Sequence, residues 1–130
     1  MSIEVGIRGR AEEIVTDNNT ASAACSGALP VYGTPYMVAL MEKAAWTSIA
    51  PFLAPGDSTV GTKVDITHLS ATPKGMKVWA ESEITLVDGK RIELTVAAYD
   101  EKGLIGKGTH ERFIITDERL LAKAARKLEG

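Results

Sequence analysis

The chain has 130 residues, 45% hydrophobic and 25% charged, with 15 basic and 17 acidic side chains and a formal net charge of −2. That length supports a single domain, 1–130, around one core, and charges so evenly mixed offer no basic stripe on which a nucleic acid could sit. The only cysteine, Cys25, excludes an internal disulfide and a thiolate metal cage within one chain; with no base near it in Ser22-Ala23-Ala24-Cys25-Ser26-Gly27, it reads as a plain small residue.

The opening Met1-Ser2-Ile3-Glu4-Val5 has neither a basic segment nor an apolar run behind it, and no apolar stretch approaches the roughly 20 residues that span a bilayer. A cytoplasmic protein with no membrane partner is expected. Ile7 to Thr16 reads as a first strand, ended by the turn-forming Asp17-Asn18-Asn19-Thr20. A loop of small residues, Ala21 to Gly33, leads to Thr34-Pro35. Pro35 suits the first turn of a helix and Thr34 is the expected N-cap; the helix should run to about Ala50, where Pro51 stops it. From Tyr36 to Trp46 this helix is apolar nearly all the way round, which predicts that other elements wrap it.

The segments that follow alternate with a period of two. From Thr62, Val64, Ile66 and His68 point one way and Lys63, Asp65 and Thr67 the other. Met76, Val78, Ala80, Ser82, Ile84 and Leu86 form the inner face of the next strand, and Asp88-Gly89 turns it into another with Ile92, Leu94, Val96 and Ala98 inside. After Glu101-Lys102-Gly103 a last strand runs from about Ile105 to Ile115. Consecutive strands joined by short turns pair antiparallel, so these four and the first predict a five-stranded antiparallel sheet with one polar face and one face covering the helix, an α+β fold. The tail, Asp117 to Leu128, places acids first and bases last and predicts a short surface helix.

Between Asp17 and Asp57 the only charged residues are Glu42 and Lys43. The helical neighbours of Glu42 three and four positions away include Val38, Ala39, Ala45 and Trp46, so its carboxylate is expected to be desolvated and usable as a general base. The competing structural reading pairs it with a base such as Arg112. Thr34 read alone is an N-cap, and His68 read alone is a core histidine, but His68 stands at a strand end just before Ser70-Ala71-Thr72-Pro73-Lys74-Gly75, where a ligand could enter. His110 is the only other histidine and no carboxylates have ligand spacing, so no metal is expected; Gly106-Lys107-Gly108 lies within a strand pattern and makes no phosphate loop.

Together these residues resemble the hotdog-fold acyl-CoA thioesterases, and among them the fluoroacetyl-CoA thioesterase-like branch. The matching passages are Tyr32-Gly33-Thr34 with Met37-Val38-Ala39-Leu40-Met41-Glu42, Val60-Gly61-Thr62 with Thr67-His68, Ala71-Thr72-Pro73-Lys74-Gly75-Met76, and Gly108-Thr109-His110-Glu111-Arg112. The resemblance implies one long helix wrapped by the sheet, an acyl-CoA substrate with no separate cofactor, and a homodimer or dimer of dimers. It implies catalytic roles for Thr34, Glu42 and His68, a backbone donor at Gly61 and a polar group at Arg112. Aromatic residues before the helix form a lid in that branch. Here none precedes Tyr32, so a small or medium acyl group is expected, in a groove lined by Met37 and Met41.

Thioester hydrolysis needs a nucleophile, a proton acceptor and donors for the oxyanion. Glu42 is expected to activate a water or the Thr34 hydroxyl, His68 to orient and shuttle the proton, and Gly61 N–H or the first helical turn to hold the thioester oxygen. Thr34 and Glu42 are eight residues apart, roughly 12 Å along a regular helix, so either the chain bends before Tyr36 or two subunits share the site. The alternatives are a non-catalytic acyl-CoA binder or sensor and an acyl-CoA hydratase or dehydratase of the same fold, although no Gly-Asp-x-Asn-Pro-like segment is present.

Overall fold

The computed structural model of the protein describes residues 2–130. In chain order the elements are β1 (Arg8–Ile14), α1 (Ala21–Ala24), α2 (Thr34–Ile49), β2 (Asp57–His68), β3 (Lys77–Asp88), β4 (Arg91–Asp100), β5 (Gly103–Thr116) and α3 (Asp117–Ala125). Single 3-10 turns, Ala50–Phe52 and Arg126–Glu129, follow α2 and α3. The strands form one antiparallel sheet in the order β1-β3-β4-β5-β2.

Consecutive strands pair in that order only where the turn between them is short. The β3–β4 and β4–β5 hairpins do so, because their loops hold only two residues each and Gly89 takes the positive φ (62°) that a tight turn demands. The loop after His68 is longer, and it lets β2 leave β3 and pair with the far edge of β5, while β1 fills the place beside β3. β2 is therefore an edge strand. It also begins five residues before Thr62, since Asp57 to Val60 pair with Phe113 to Thr116.

Two bulges reset the alternation. Thr62 is the extra residue of β2, between Gly61 opposite Arg112 and Lys63 opposite Glu111. Thr85 does the same in β3, so that Val87 lies opposite the buried Ile92 and packs on the core, whereas Leu86 lies opposite Glu93. The expected inward position of Leu86 is thus taken by Val87.

One face of α2 is core: Met37, Leu40, Met41, Ala44, Ala45 and Ile49 recur at helical spacing and meet Val78, Ala80, Ile84, Leu94, Val96 and Ala98 from β3 and β4. Burial of each large side chain contributes about 1.5–3 kcal/mol. The opposite face is not wrapped by this chain. Pro35, Ala39, Lys43, Trp46 and Ala50 are exposed, Trp46 to 46%. Among the described residues no helix is long and apolar enough to cross a membrane.

The segment before α2 is pinned from below. Tyr32 is buried and its hydroxyl donates to Glu13 at 2.6 Å, while Asn19 Nδ2 donates to the other Glu13 oxygen at 3.1 Å. Burial, with Glu13 beside it, pushes the Tyr32 phenol well above its ordinary pKa, so it stays a donor. The Gly33 N–H donates to the Asn19 carbonyl, which fixes where α2 begins.

Candidate active site

α2 begins one residue earlier than its sequence suggests, and this changes the task of Thr34. Gly33 is the N-cap, in extended conformation (φ −81°, ψ 137°), with no side-chain cap, and Thr34 and Pro35 are the first helical residues. Thr34 is therefore not the N-cap. Its hydroxyl instead lies 2.7 Å from His68 Nδ1, reaching from the start of α2 to the end of β2.

His68 faces inward as its alternation predicts, opposite Gly106. Its Nε2 is buried without a hydrogen-bond partner. Burial holds the imidazole below the ordinary histidine value, with the Ser70 main chain opposing. The ring is therefore neutral near pH 7 and able to accept a proton. Thr34 Oγ1 and His68 Nδ1 share one hydrogen bond, which the hydroxyl donates or accepts according to the imidazole tautomer.

Glu42 belongs to a second cluster. α2 is regular from Thr34 to Ile49, so no bend brings Glu42 back to Thr34 within one chain. Its expected isolation among apolar neighbours is corrected too: the side chain is 36% exposed, and Arg112 Nη1 donates to Oε2 at 3.2 Å. Arg112 is buried and anchored on β2, its Nε donating to Thr59 Oγ1 at 2.8 Å and its Nη2 to Thr59 O at 2.9 Å. Gly61 closes the cluster. A Cβ on Gly61 would come within 2.5 Å of Glu42 Oε2, so the carboxylate rests against a backbone that only glycine leaves bare. The Thr62 bulge makes this possible by turning Gly61 to the inner face, away from the phase of Lys63.

Met37 and Met41 are in the closed core, at 0% and 1% exposed, where an open groove was expected. Met37 fills a notch at Gly106, where a Cβ would meet its Sδ and Cε at 2.7 Å. Gly106 is the register partner of His68, so Met37 packs on the strand pair that carries the imidazole. A buried residue that the sequence reasoning passed over also belongs here: His110 contacts Arg112 at 3.1 Å. Its inward phase two residues before Arg112 was the available signal. Among the described residues no group of three or more His, Cys, Asp or Glu side chains is placed to hold a metal ion.

A five-stranded antiparallel sheet holding one long helix, with a hydroxyl and an imidazole joined at the helix N-terminus, defines a hotdog-fold thioesterase. The family model described as fluoroacetyl-CoA-specific thioesterase matches residues 15–118. The chain belongs to that family, whose members hydrolyse acyl-CoA thioesters. It is 42% identical over 97 residues to the fluoroacetyl-CoA thioesterase of Streptantibioticus cattleyicolor, covering 75% of this chain and 70% of the relative. The solved structure of the fluoroacetyl-CoA thioesterase FlK is similar to it at 34% identity and a TM-score of 0.93, covering 98% of both chains. A mutant of FlK in complex with fluoroacetate and CoA is 35% identical with a TM-score of 0.85, covering 91% of this chain and 99% of the mutant.

Proposed function

We propose that the protein hydrolyses a small or medium acyl-CoA to the free acid and CoA at a site that two copies of the chain share. Thr34 and His68 come from one copy and Glu42, Gly61 and Arg112 from the other. The observation that carries the reading is the 2.7 Å contact of Thr34 with His68 in a chain whose Glu42 stands two helical turns away. A homodimer is the least assembly that unites them. Two features support it: β2 is an edge strand whose middle, residues 61–65, is exposed, and the exposed face of α2 carries Ala39 and Trp46. The reading also carries a cytoplasmic location, where acyl-CoA thioesters are made and used.

In this site the Thr34 hydroxyl donates to the thioester oxygen and Glu42 of the partner subunit takes the proton of an attacking water. The neutral His68 accepts that proton from Glu42 and delivers it to the departing thiolate, which restores both groups and releases the CoA thiol and the free acid, while the Gly61 N–H helps hold the oxyanion. No separate cofactor takes part. The crystal complex of the FlK mutant holds CoA and fluoroacetate, which supports an acyl-CoA ligand here. Met37, packed at the register partner of His68, would bound the acyl pocket and supports a short acyl chain, and the Ala, Ser, Thr and Gly segment before Tyr32 supplies no aromatic lid to select fluoroacetyl.

Thiol release from acetyl-, propionyl-, fluoroacetyl- and longer acyl-CoAs tests the substrate. Binding of every one without release would mark a sensor. The shared site has its own test, in which inactive Thr34→Val and Glu42→Gln chains are refolded together. In a two-fold dimer each mixed pair regains one intact site, for about a quarter of wild-type activity in a statistical mixture. No recovery would place the whole site in one chain.

A further inference from the structure

Behind the Glu42–Arg112 pair stands a buried imidazole to which the proposed chemistry assigns no part. His110 is 3% exposed and lies two residues before Arg112, on the same inner face of β5. Its contacts fix the state of both ring nitrogens. The Lys63 carbonyl lies 2.8 Å from Nδ1 and can only accept, so Nδ1 carries the proton. Arg112 Nη1 lies 3.1 Å from Nε2 and can only donate, so Nε2 is a bare lone pair. The ring is neutral. Burial holds it so first, against the Lys63 carbonyl; Arg112 adds to the effect, and the facing carboxylates Glu42 and Glu111 oppose it. At 3.9 Å from Glu42 Oε2, a neutral Nε2 makes no ion pair with that carboxylate.

The guanidinium of Arg112 is thus held along two edges. Thr59 accepts from Nε and Nη2, and His110 accepts from Nη1, the same nitrogen that donates to Glu42. Thr59 alone would leave the plane free to tilt about that edge; a third point stops the tilt. The third point also has to be uncharged. A carboxylate in that place would draw the charge of Arg112 away from Glu42, whereas a neutral lone pair satisfies the N–H and leaves the cation to its partner.

We propose that His110 is a positioning residue for Glu42: its neutral Nε2 completes the fixation of Arg112, which in turn holds the Glu42 carboxylate in one orientation against Gly61. This rests on Glu42 being the proton acceptor of the reaction.

The test joins spectroscopy on the unaltered protein to kinetics on two variants. Nitrogen-15 spectra of the histidine rings, with His68 assigned by its loss in His68→Gln, should show His110 as the neutral Nδ1–H tautomer near pH 7. A proton on Nε2, or an imidazolium, overturns the proposal. His110→Leu removes the acceptor and should lower kcat about 10- to 100-fold with KM little changed, the scale of effect that misplacing a catalytic group produces. His110→Gln, which offers one acceptor and one donor at similar reach, should recover part of that loss. Wild-type kcat in His110→Leu overturns the proposal, as does a Gln variant no better than a folded Leu variant. If His110→Leu does not fold, wild-type kcat in His110→Gln together with the expected tautomer supports it, and a loss matching that of Glu42→Gln overturns it. Full turnover by Glu42→Gln defeats the Glu42 reading and this proposal together. An inactive Glu42→Gln beside an unaffected His110→Leu defeats this one alone.

Discussion

Thr34 Oγ1 and His68 Nδ1 lie 2.7 Å apart although 34 residues separate them in the chain. The contact exists because Gly33, and not Thr34, caps α2, which leaves the hydroxyl free of the helix it begins. Thr34→Val should therefore lower kcat by about 10²-fold or more, within the range for a lost proton-transfer partner. Thr34→Ser should keep most of the activity. Thr34→Ser should leave the thermal midpoint unchanged and Thr34→Val should lower stability only by the roughly 1–3 kcal/mol of an unpartnered ring nitrogen, since no capping bond is lost; a larger destabilisation by Thr34→Val would contradict this account of the helix start.

Gly61→Ala separates activity from stability. The new methyl would meet Glu42 Oε2 at 2.5 Å, the end of a flexible, part-exposed side chain that can move aside, and Arg112 Nη1 and His110 Cε1 at 3.2 and 3.3 Å, which must each give by a few tenths of an ångström. The variant should fold with a modestly lowered denaturation midpoint and lose turnover, because the displaced carboxylate no longer rests where Arg112 holds it. Unchanged kcat would mean that the position of Glu42 is immaterial.

Arg112→Lys is not conservative in this place. One ammonium cannot reproduce the fork that reaches Thr59, His110 and Glu42 together. Loss of charge-assisted bonds and an unsatisfied buried acceptor should cost about 1.5–3 kcal/mol, readable by urea denaturation. A midpoint equal to wild type would show that the buried fork contributes nothing.

Stability should fall on mild acidification. Burial holds His68 and His110 below the ordinary histidine value of 6.5, so between that value and their folded values the unfolded chain binds more protons than the folded one. Their contribution is complete above pH 6.5 and is lost as pH drops through the window beneath it. Each group contributes a slope of at most about 1.4 kcal/mol per pH unit. Urea midpoints measured from about pH 8 to pH 5 check this, and His110→Gln should flatten the curve. A midpoint that rises on acidification in this range would reverse the sign.

Met37→Ala tests the bound on the acyl pocket. Removing the thioether from the Gly106 notch should cost about 2–5 kcal/mol as a buried cavity and move the preference toward longer acyl chains. An unchanged chain-length profile from a folded variant would place the acyl group elsewhere.

Much of this molecule is written locally. Val78, Ala80, Ser82 and Ile84, and Ile92 to Ala98 on β4, alternate inward as their periodicity dictates, because a strand's side chains have no third direction to take. α2 starts beside Pro35 and ends before Pro51 for equally local reasons, and the inward phase of His68 follows from strand parity alone. Local rules do not reach the rest. The crossing of β2 to β5 depends on a loop long enough to permit it, and parity counted along β2 would have put Gly61 on the outer face with Lys63 had Thr62 not bulged out of register. The exposed stripe of α2 looked enclosed because an apolar composition cannot say which of two faces the sheet covers. Residue types and spacing thus set the elements, which follow from backbone geometry within a few residues, while the grouping of Thr34, Glu42 and His68 comes from the family resemblance. Which groups touch, Thr34 with His68 and Glu42 with Arg112 and Gly61, was left to strand order and one bulge, which are settled by packing between segments far apart in the chain.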